Sequence, residues 1–283
     1  MGKHALVFLS DIHAGSTVGM LHEDGVQTDD QNWIKPSPIQ QWLNEQHAKM
    51  VEDVRELVNG YDTHIFLNGD LTEGVHHNTH QIISPDKGVH IQACYDVLTK
   101  GILSVDFDTI HMVRGTPAHV DNAAGLEKSV AAKLNAAGYP VVKDPYSNSF
   151  MWPFVYAEFD GVLFDVRHHG RAGQREHTRK AYSALYAQDI WQSHVADGRR
   201  APDIAIRAHL HRFIDSGPDH RGITRAIQMP CWQLTTQWVR RIGAETLPDI
   251  GAVVALVDDG RVQIVPLLYK PEKDPQPIWR PEA

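Results

Sequence analysis

Five short stretches of this sequence end an apolar run in side chains suited to holding metal ions. They are Asp11-Ile12-His13, Gly69-Asp70, Gly115-Thr116 with His119 just beyond, His168-His169, and His209-Leu210-His211. Imidazole nitrogen mixed with carboxylate oxygen suits Mn, Fe, Zn or Co, and the lack of thiolate argues against a structural zinc site. Asp11 with His13, and His209 with His211, are spaced i, i+2. In an extended chain that spacing puts both side chains on one face, able to reach neighbouring ions. A carboxylate that bridges two ions ~3.5–4 Å apart lets them share a hydroxide that attacks phosphorus in line. A nearby histidine can then protonate the departing alkoxide. The chain carries 18 histidines against 8 Tyr and 8 Phe, a surplus that metal binding would partly explain. Taken alone, Asp11 or Asp70 would read as a strand-end cap bonded to its own turn; taken with the histidines, each reads as a ligand.

In this order the motifs resemble the calcineurin-like metallophosphoesterases, Ser10-Asp11-Ile12-His13 and Asn68-Gly69-Asp70 being the best-matched stretches. A Gly-Asp pair alone is a weak signal. Five motifs in the right order, each after a strand, over about residues 4 to 215, are a specific one. The sequence is most similar to a divergent branch, often carried by phages, with a Gly-Thr-x-x-His turn. The resemblance implies an α/β fold, a four-layer sandwich of two mixed β-sheets flanked by α-helices. It implies two divalent ions, Mn first among Mn, Fe, Zn and Co. Asp11, His13 and His211 would hold one ion, Asp70 would bridge, and His168 and His209 would hold the other. The family's third motif is Gly-Asn-His followed by an acid, whereas this chain reads Gly115-Thr116-Pro117-Ala118-His119-Val120-Asp121. Thr116 takes the place of the ligand Asn. His119, displaced by two residues, would reach the leaving group as the catalytic histidine if Pro117 and Ala118 form a bulge. Between His168 and His169, the glycine two places after His168 favours His168. So does its parity with Val162, Phe164 and Val166.

Residues flanking these motifs have two readings each. Val75-His76-His77-Asn78-Thr79-His80 either lines the cleft, with His76 and His77 on substrate phosphate, or is a polar surface loop. Arg114 either clamps a phosphate or pairs with a carboxylate. Arg171, Arg175 and His177 either meet substrate or open a solvated helix. Trp232 and Trp238 either stack on a base or pack the core, and core packing is expected of at least one.

The elements that must position these groups alternate along the chain. Strands are expected at His4 to Leu9, Thr63 to Leu67 and Asp108 to Val113, each stopping at a motif. Ser37 reads as an N-cap and Pro38 as the first residue of a helix running to Gly60. Further helices are expected over about Val89 to Leu103, Asn122 to Ala137 and Arg175 to Val195. Phe150 to Phe159 and Val162 to Val166 read as a hairpin around Asp160-Gly161. Shorter strands follow at Ile204 to Ala208, Ile223 to Gln228, Gly251 to Val257 and Val262 to Pro266. No repeat or linker cuts the chain, so residues 1–270 read as one domain and 271–283 as a Pro-rich tail.

Composition narrows the function classes. The formal net charge is -8, which lacks the basic excess of proteins that grip long duplexes. A phosphoester small molecule or nucleotide fits this balance, as does a short or single-stranded nucleic acid. Two cysteines are too few for a disulfide scaffold or a CxxC zinc site. No signal peptide, lipidation motif or apolar run of ~20 residues is present, so a cytoplasmic location and no membrane partner are expected. The leading function is a metal-dependent phosphoester hydrolase, with phosphodiesters or nucleotides ahead of protein phosphates. A nuclease acting on short or single-stranded nucleic acid is a specific form of it. A non-catalytic binding module on the same fold is the alternative that the altered third motif raises. A metal-dependent amidase ranks last, since neither HExxH nor HxHxDH occurs.

Overall fold

Period-two alternation in the apolar runs gives most strands of this protein two usable faces, and both faces are buried. The computed structural model describes residues 2–76, 79–121, 124–171, 178–217, 224–241 and 247–270. In chain order, β1 is His4–Leu9, β2 Val26–Gln27 and β3 Trp33–Ile34. Helix α1 is Pro38–Leu57, β4 Asp62–Asn68, α2 Lys87–Lys100 and β5 Thr109–Val113. Then follow α3 (Pro117–Val120), α4 (Gly125–Ala136), β6 (Met151–Trp152), β7 (Val155–Phe159) and β8 (Val162–His169). Helix α5 (Arg179–Ala196) leads to β9 (Ile204–Ala208), β10 (Ile214–Asp215) and β11 (Arg225–Gln228). Helix α6 (Gln237–Arg241) precedes β12 (Ile250–Asp258) and β13 (Arg261–Tyr269).

One sheet has six strands in the order β13-β12-β1-β4-β5-β6, and another has five in the order β10-β11-β9-β8-β7. Both are mixed. Strands β1, β4, β5 and β6 run parallel, with β12 antiparallel to β1. In the second sheet β8, β9 and β11 run parallel, while β7 and β10 are antiparallel. On β1, Ala5, Val7 and Leu9 face one core cluster with Leu43, Met50 and Val54 of α1, Ala93 and Val97 of α2 and Val130 of α4. Leu6 and Phe8 face the other way, into a cluster with Phe164, Val166, Ile204 and Ile206 of the second sheet. Helix α5 packs on β10 and β11. The layers are therefore helix, sheet, sheet, helix, the architecture that the motif resemblance implies.

Local chemistry sets several boundaries. Ser37 closes a full capping box with Gln40, and Pro38 opens α1. The segment Phe150 to Phe159 is not one strand. Pro153 has no N–H to give a ladder. The chain breaks there, so β6 pairs with β5 in the first sheet and β7 with β8 in the second. Strand β13 tolerates Pro266 opposite Val253 because it is an edge strand. The starts expected at Asn122, Arg175 and Ile223, and the Pro-rich tail 271–283, lie outside the described residues. No described helix is long and apolar enough to cross a membrane.

Candidate metal centre

The C-terminal ends of β1, β4, β5, β8 and β9 meet at one edge of the sandwich, and every sequence motif sits on one of them. At such an edge the loops have lost their ladder partners and are free to present side chains. An extended chain would have put Asp11 and His13 on one face, but the chain is not extended there. Asp11 and His13 have φ of 51° and 49°, Asp70 has 50°, and His209 and His211 have 73° and 53°. These left-handed conformations cost non-glycine residues about 1–3 kcal/mol each and persist only where the surroundings over-determine them. The surroundings here are hydrogen bonds between loops. Asp11 N–H donates to the Gly69 carbonyl and His13 N–H to the Asp70 carbonyl, both at 3.0 Å. The same turns bring the i, i+2 partners together by curling the chain instead of by pleating it.

Asp11, His13 and His211 form the first set. His13 Nδ1 donates to Glu73 Oε2 at 2.8 Å, which turns Nε2 inward to lie 3.3 Å from His211 Nε2. His211 Nε2 is 3.2 Å and His13 Nε2 3.8 Å from Asp11 Oδ1. Asp11 Oδ1 is nonetheless buried with no hydrogen-bond partner. Ligands at about 2.0–2.2 Å from one ion lie about 3–3.5 Å from each other. Two facing imidazole nitrogens and an orphaned carboxylate oxygen at that spacing fit a divalent cation.

The second set gathers around Asp70. His168 Nδ1 donates to the Asn68 carbonyl at 2.7 Å, leaving Nε2 at 2.9 Å from Asp70 Oδ2. His209 Nδ1 is 3.7 Å from the same oxygen. Thr116 donates to Asp70 through its backbone N–H at 2.6 Å and its hydroxyl at 3.0 Å. The same hydroxyl oxygen lies 3.3 Å from His168 Nε2, 3.3 Å from His169 Nε2 and 3.2 Å from His209 Nδ1. A hydroxyl can donate one bond and accept two, so this crowding also fits a cation. His168, His169 and His209 could hold one ion together, and Asp70 also joins groups with His13 and His119 and with Asp11 and His168. Geometry brings both His168 and His169 to this cluster. His168 is buried on Asp70, and a bulge between Val166 and His169 swings the exposed His169 to the same cluster.

Pro117 and Ala118 form no bulge. Pro117 starts the four-residue helix α3 with Thr116 as its N-cap, a position that its fixed φ favours. The helical turn returns His119 to the side of Thr116, three residues on. His119 Nδ1 donates to the Glu73 carbonyl at 3.1 Å, and its ring meets that of His13 edge-on at 4.6 Å. His76 donates from Nε2 to Glu73 Oε1 at 2.9 Å and packs on His119, so it lines the cleft. His77, Arg175 and His177 lie outside the described residues. The charge of Arg114 contributes to holding the Asp144 carboxyl low, an effect due mainly to the Ser147 hydroxyl. Trp232 is fully buried and Trp238 is 60% exposed.

Two acids invisible to motif reading tie the site together. Glu73 accepts from His13, from His76 and, at 2.9 Å, from Gln233 Nε2. Glu127, on α4, accepts from Leu71 N–H at 3.2 Å and Gly115 N–H at 3.0 Å. It thereby joins the loop of Asp70 to the loop of Thr116. Gly115 is required there, since a Cβ would fall 2.2 Å from Asp70 N.

The charges of the site act strongly on one another. Burial would raise the Asp11, Asp70 and Glu73 carboxyls, but neighbouring histidines hold all three below their ordinary values, Glu73 at about 2. Burial would lower His13 and His168, but Asp11 and Glu73 raise the first to about 9, and Asp70 and Asp11 raise the second to about 9. The carboxylates draw positive charge, which protons supply when no ion does. His119 is pushed down to about 4 by burial and by His13.

Neither a family model nor a curated protein matches the sequence. Among solved structures, Vacuolar Protein Sorting 29 from Cryptosporidium parvum is similar at 9% identity and a TM-score of 0.39, over 96% of this chain and 100% of that one. The hypothetical protein PH1004 from Pyrococcus horikoshii OT3 is similar at 10% and 0.41, over 94% and 89%. The NAD nucleotidase NadN of Haemophilus influenzae is similar at 11% and 0.43, over 93% of this chain and 50% of that one. Likeness at this level carries no argument about chemistry, which rests on this chain's own side chains.

Proposed function

We propose that this protein is a metal-dependent phosphoester hydrolase that uses two divalent ions, with phosphodiesters or nucleotide-type esters as its substrate class. The observation that carries the reading is the position of Asp70, whose carboxylate belongs to ligand groups on both sides of the cleft. Asp11, His13 and His211 would hold one ion and His168 and His209 the other, with Asp70 between them and Thr116 and His169 adjoining. Two such ions, when bound, lower the pKa of water and neutralise phosphoryl oxygens, with Mn first among the metals that this donor set suits.

The chain's own residues supply orientation and proton handling. Glu73 and the Asn68 carbonyl accept hydrogen bonds from the Nδ1–H groups of His13 and His168, so each ring presents Nε2 to the cleft. Glu127 keeps the Asp70 and Thr116 loops at fixed separation. His119, with Nδ1 committed to the Glu73 carbonyl, exchanges protons through Nε2 on the leaving-group side. His76, and the sequence candidates His77 and Arg114, are its companions on substrate phosphate in this reading.

The test is metal content per chain together with hydrolysis of a model phosphodiester and a model monoester with added Mn²⁺, for wild type and Asp70→Asn. Two ions per chain and diester turnover that falls at least a hundredfold in the variant are expected. A wild-type chain that binds no ion and turns over neither ester with any divalent metal would overturn the reading.

A further inference from the structure

The rim of the cleft carries one aromatic and basic feature that the ligand cluster does not use. Gln233 donates to Glu73 Oε2 and, at 3.1 Å, to Ser16 Oγ. Leu234 N–H bonds the Val18 carbonyl. The chain then enters α6, whose Gln237 N–H bonds Gln81 Oε1, on the loop that follows His76. The helix is thus fastened to the loops that carry His13's partner and His76. Trp238 lies five positions after Gln233, a reach of at most about 18 Å, which a few nucleotides can span.

Trp238 leaves 60% of its surface in solvent, unlike its buried counterpart Trp232. Arg240 and Arg241 are both exposed, and among the described residues neither guanidinium makes an ion pair. In a chain of net charge -8, Arg241 lies three residues after Trp238 and so on the same face of α6, where a guanidinium without an ion pair and an exposed indole are set up for an anionic, flat-ringed ligand. We propose that Trp238 and Arg241 form a platform for single-stranded nucleic acid beside the metal cleft. Trp238 stacks on one base, and Arg241 pairs with a flanking phosphate. Stacking on an aromatic face is tolerant of sequence and adds about 1–3 kcal/mol per base, while guanidinium groups match phosphate geometry. The platform deepens the phosphodiester reading and rests on it for the chemistry of the cleft.

The experiment measures binding of a 5′-fluorescein-labelled oligo(dT) of eight nucleotides by anisotropy, on the full chain in EDTA so that no turnover intervenes. Trp238→Ala is expected to weaken binding about 5- to 150-fold, the range that stacking energies imply, and Trp238→Phe to restore most of it. Arg241→Gln is expected to reduce the slope of log affinity against log salt by about 0.7, the value for one single-strand phosphate contact. Metal content and turnover of bis(p-nitrophenyl) phosphate should stay unchanged in all three variants, since none touches the cleft. Unchanged affinity and unchanged salt slope would overturn the platform, as would a wild-type chain that does not bind the oligonucleotide. It would also fall if Trp238→Ala dissociated a dimer while leaving oligonucleotide affinity intact, which would assign the face to a second copy of the chain. Failure of the small diester assay in wild type, with the binding differences intact, would instead strike the hydrolase reading alone.

Discussion

His13 and His168 decide how the candidate centre responds to pH. Each is raised to about 9 by buried carboxylates, so at pH 7 each holds a proton on the nitrogen that faces the cleft. A metal takes that position only by displacing the proton. Metal affinity is therefore expected to rise from pH 6.5 to pH 9, about tenfold per pH unit for each proton displaced, and to level off above pH 9. Calorimetric titration of Mn²⁺ in buffers of different ionisation enthalpy would count the protons released, and a count of zero at pH 7 would contradict the assignment. At the same scale, Gly115→Ala places a Cβ against Asp70 N, and loss of ion binding with the fold retained is expected by metal analysis and circular dichroism. The candidate ligands could be picked out in the sequence because each stands at the end of an apolar run. Glu73 left only a faint trace, an acid three places after Asp70. The approach of His169 to the cluster of His168 left none, because a bulge depends on how two strands pair and not on either strand alone.

Helices and turns hold these groups at distances that no single motif encodes. Glu127 sits on α4, yet its two oxygens bind the backbone of loops that follow β4 and β5. Burial is the main reason its carboxyl is raised to about 7. In Glu127→Gln one amide oxygen can still accept, but the amide nitrogen faces a buried N–H and leaves it unsatisfied. A loss of about 1–3 kcal/mol is expected from denaturant melts, with the ion at His168 and His209 weakened more than the ion at Asp11 and His13. Equal weakening of both ions would reduce Glu127 to a general fold contact. Ser37→Ala tests the opposite case, a cap far from chemistry. It should cost about 1 kcal/mol and leave ion affinity unchanged. Ser37 and Pro38 were readable because capping is local. The break at Pro153 was only half readable, since the proline marks an interruption but only the pairing of β6 and β7 says that the chain changes sheet there. Helix α3 was missed because a single turn carries too few residues for periodicity to show.

For the whole molecule, the layer order was expected from the motif resemblance alone, and the meeting of five strand ends at one edge is topology that spacing cannot supply. That convergence gathers Asp11, Asp70, Glu73 and Glu127 into a buried volume, so the site's charge becomes a property of folding. Without metal, His13 and His168 have folded pKa values above the ordinary 6.5. Their contribution to stability is full below pH 6.5 and is lost as pH rises through about 9. Glu73, held at about 2, contributes above its ordinary 4.5 and loses that contribution only as pH falls towards 2. The metal-free chain should therefore lose stability between pH 6.5 and 9, as the imidazoles give up protons and leave the carboxylates uncompensated. A divalent ion replaces that charge, and it stabilises the fold by RT ln(1 + [L]/Kd), a term that grows as affinity rises with pH. Thermal melts with Mn²⁺ and with EDTA should differ little at pH 6 and most near pH 8.5. The difference should vanish in Asp11→Asn with Asp70→Asn. A metal-induced rise in Tm that is equal at both pH values, or larger at pH 6, would show that the ion does not take the place of the protons on His13 and His168.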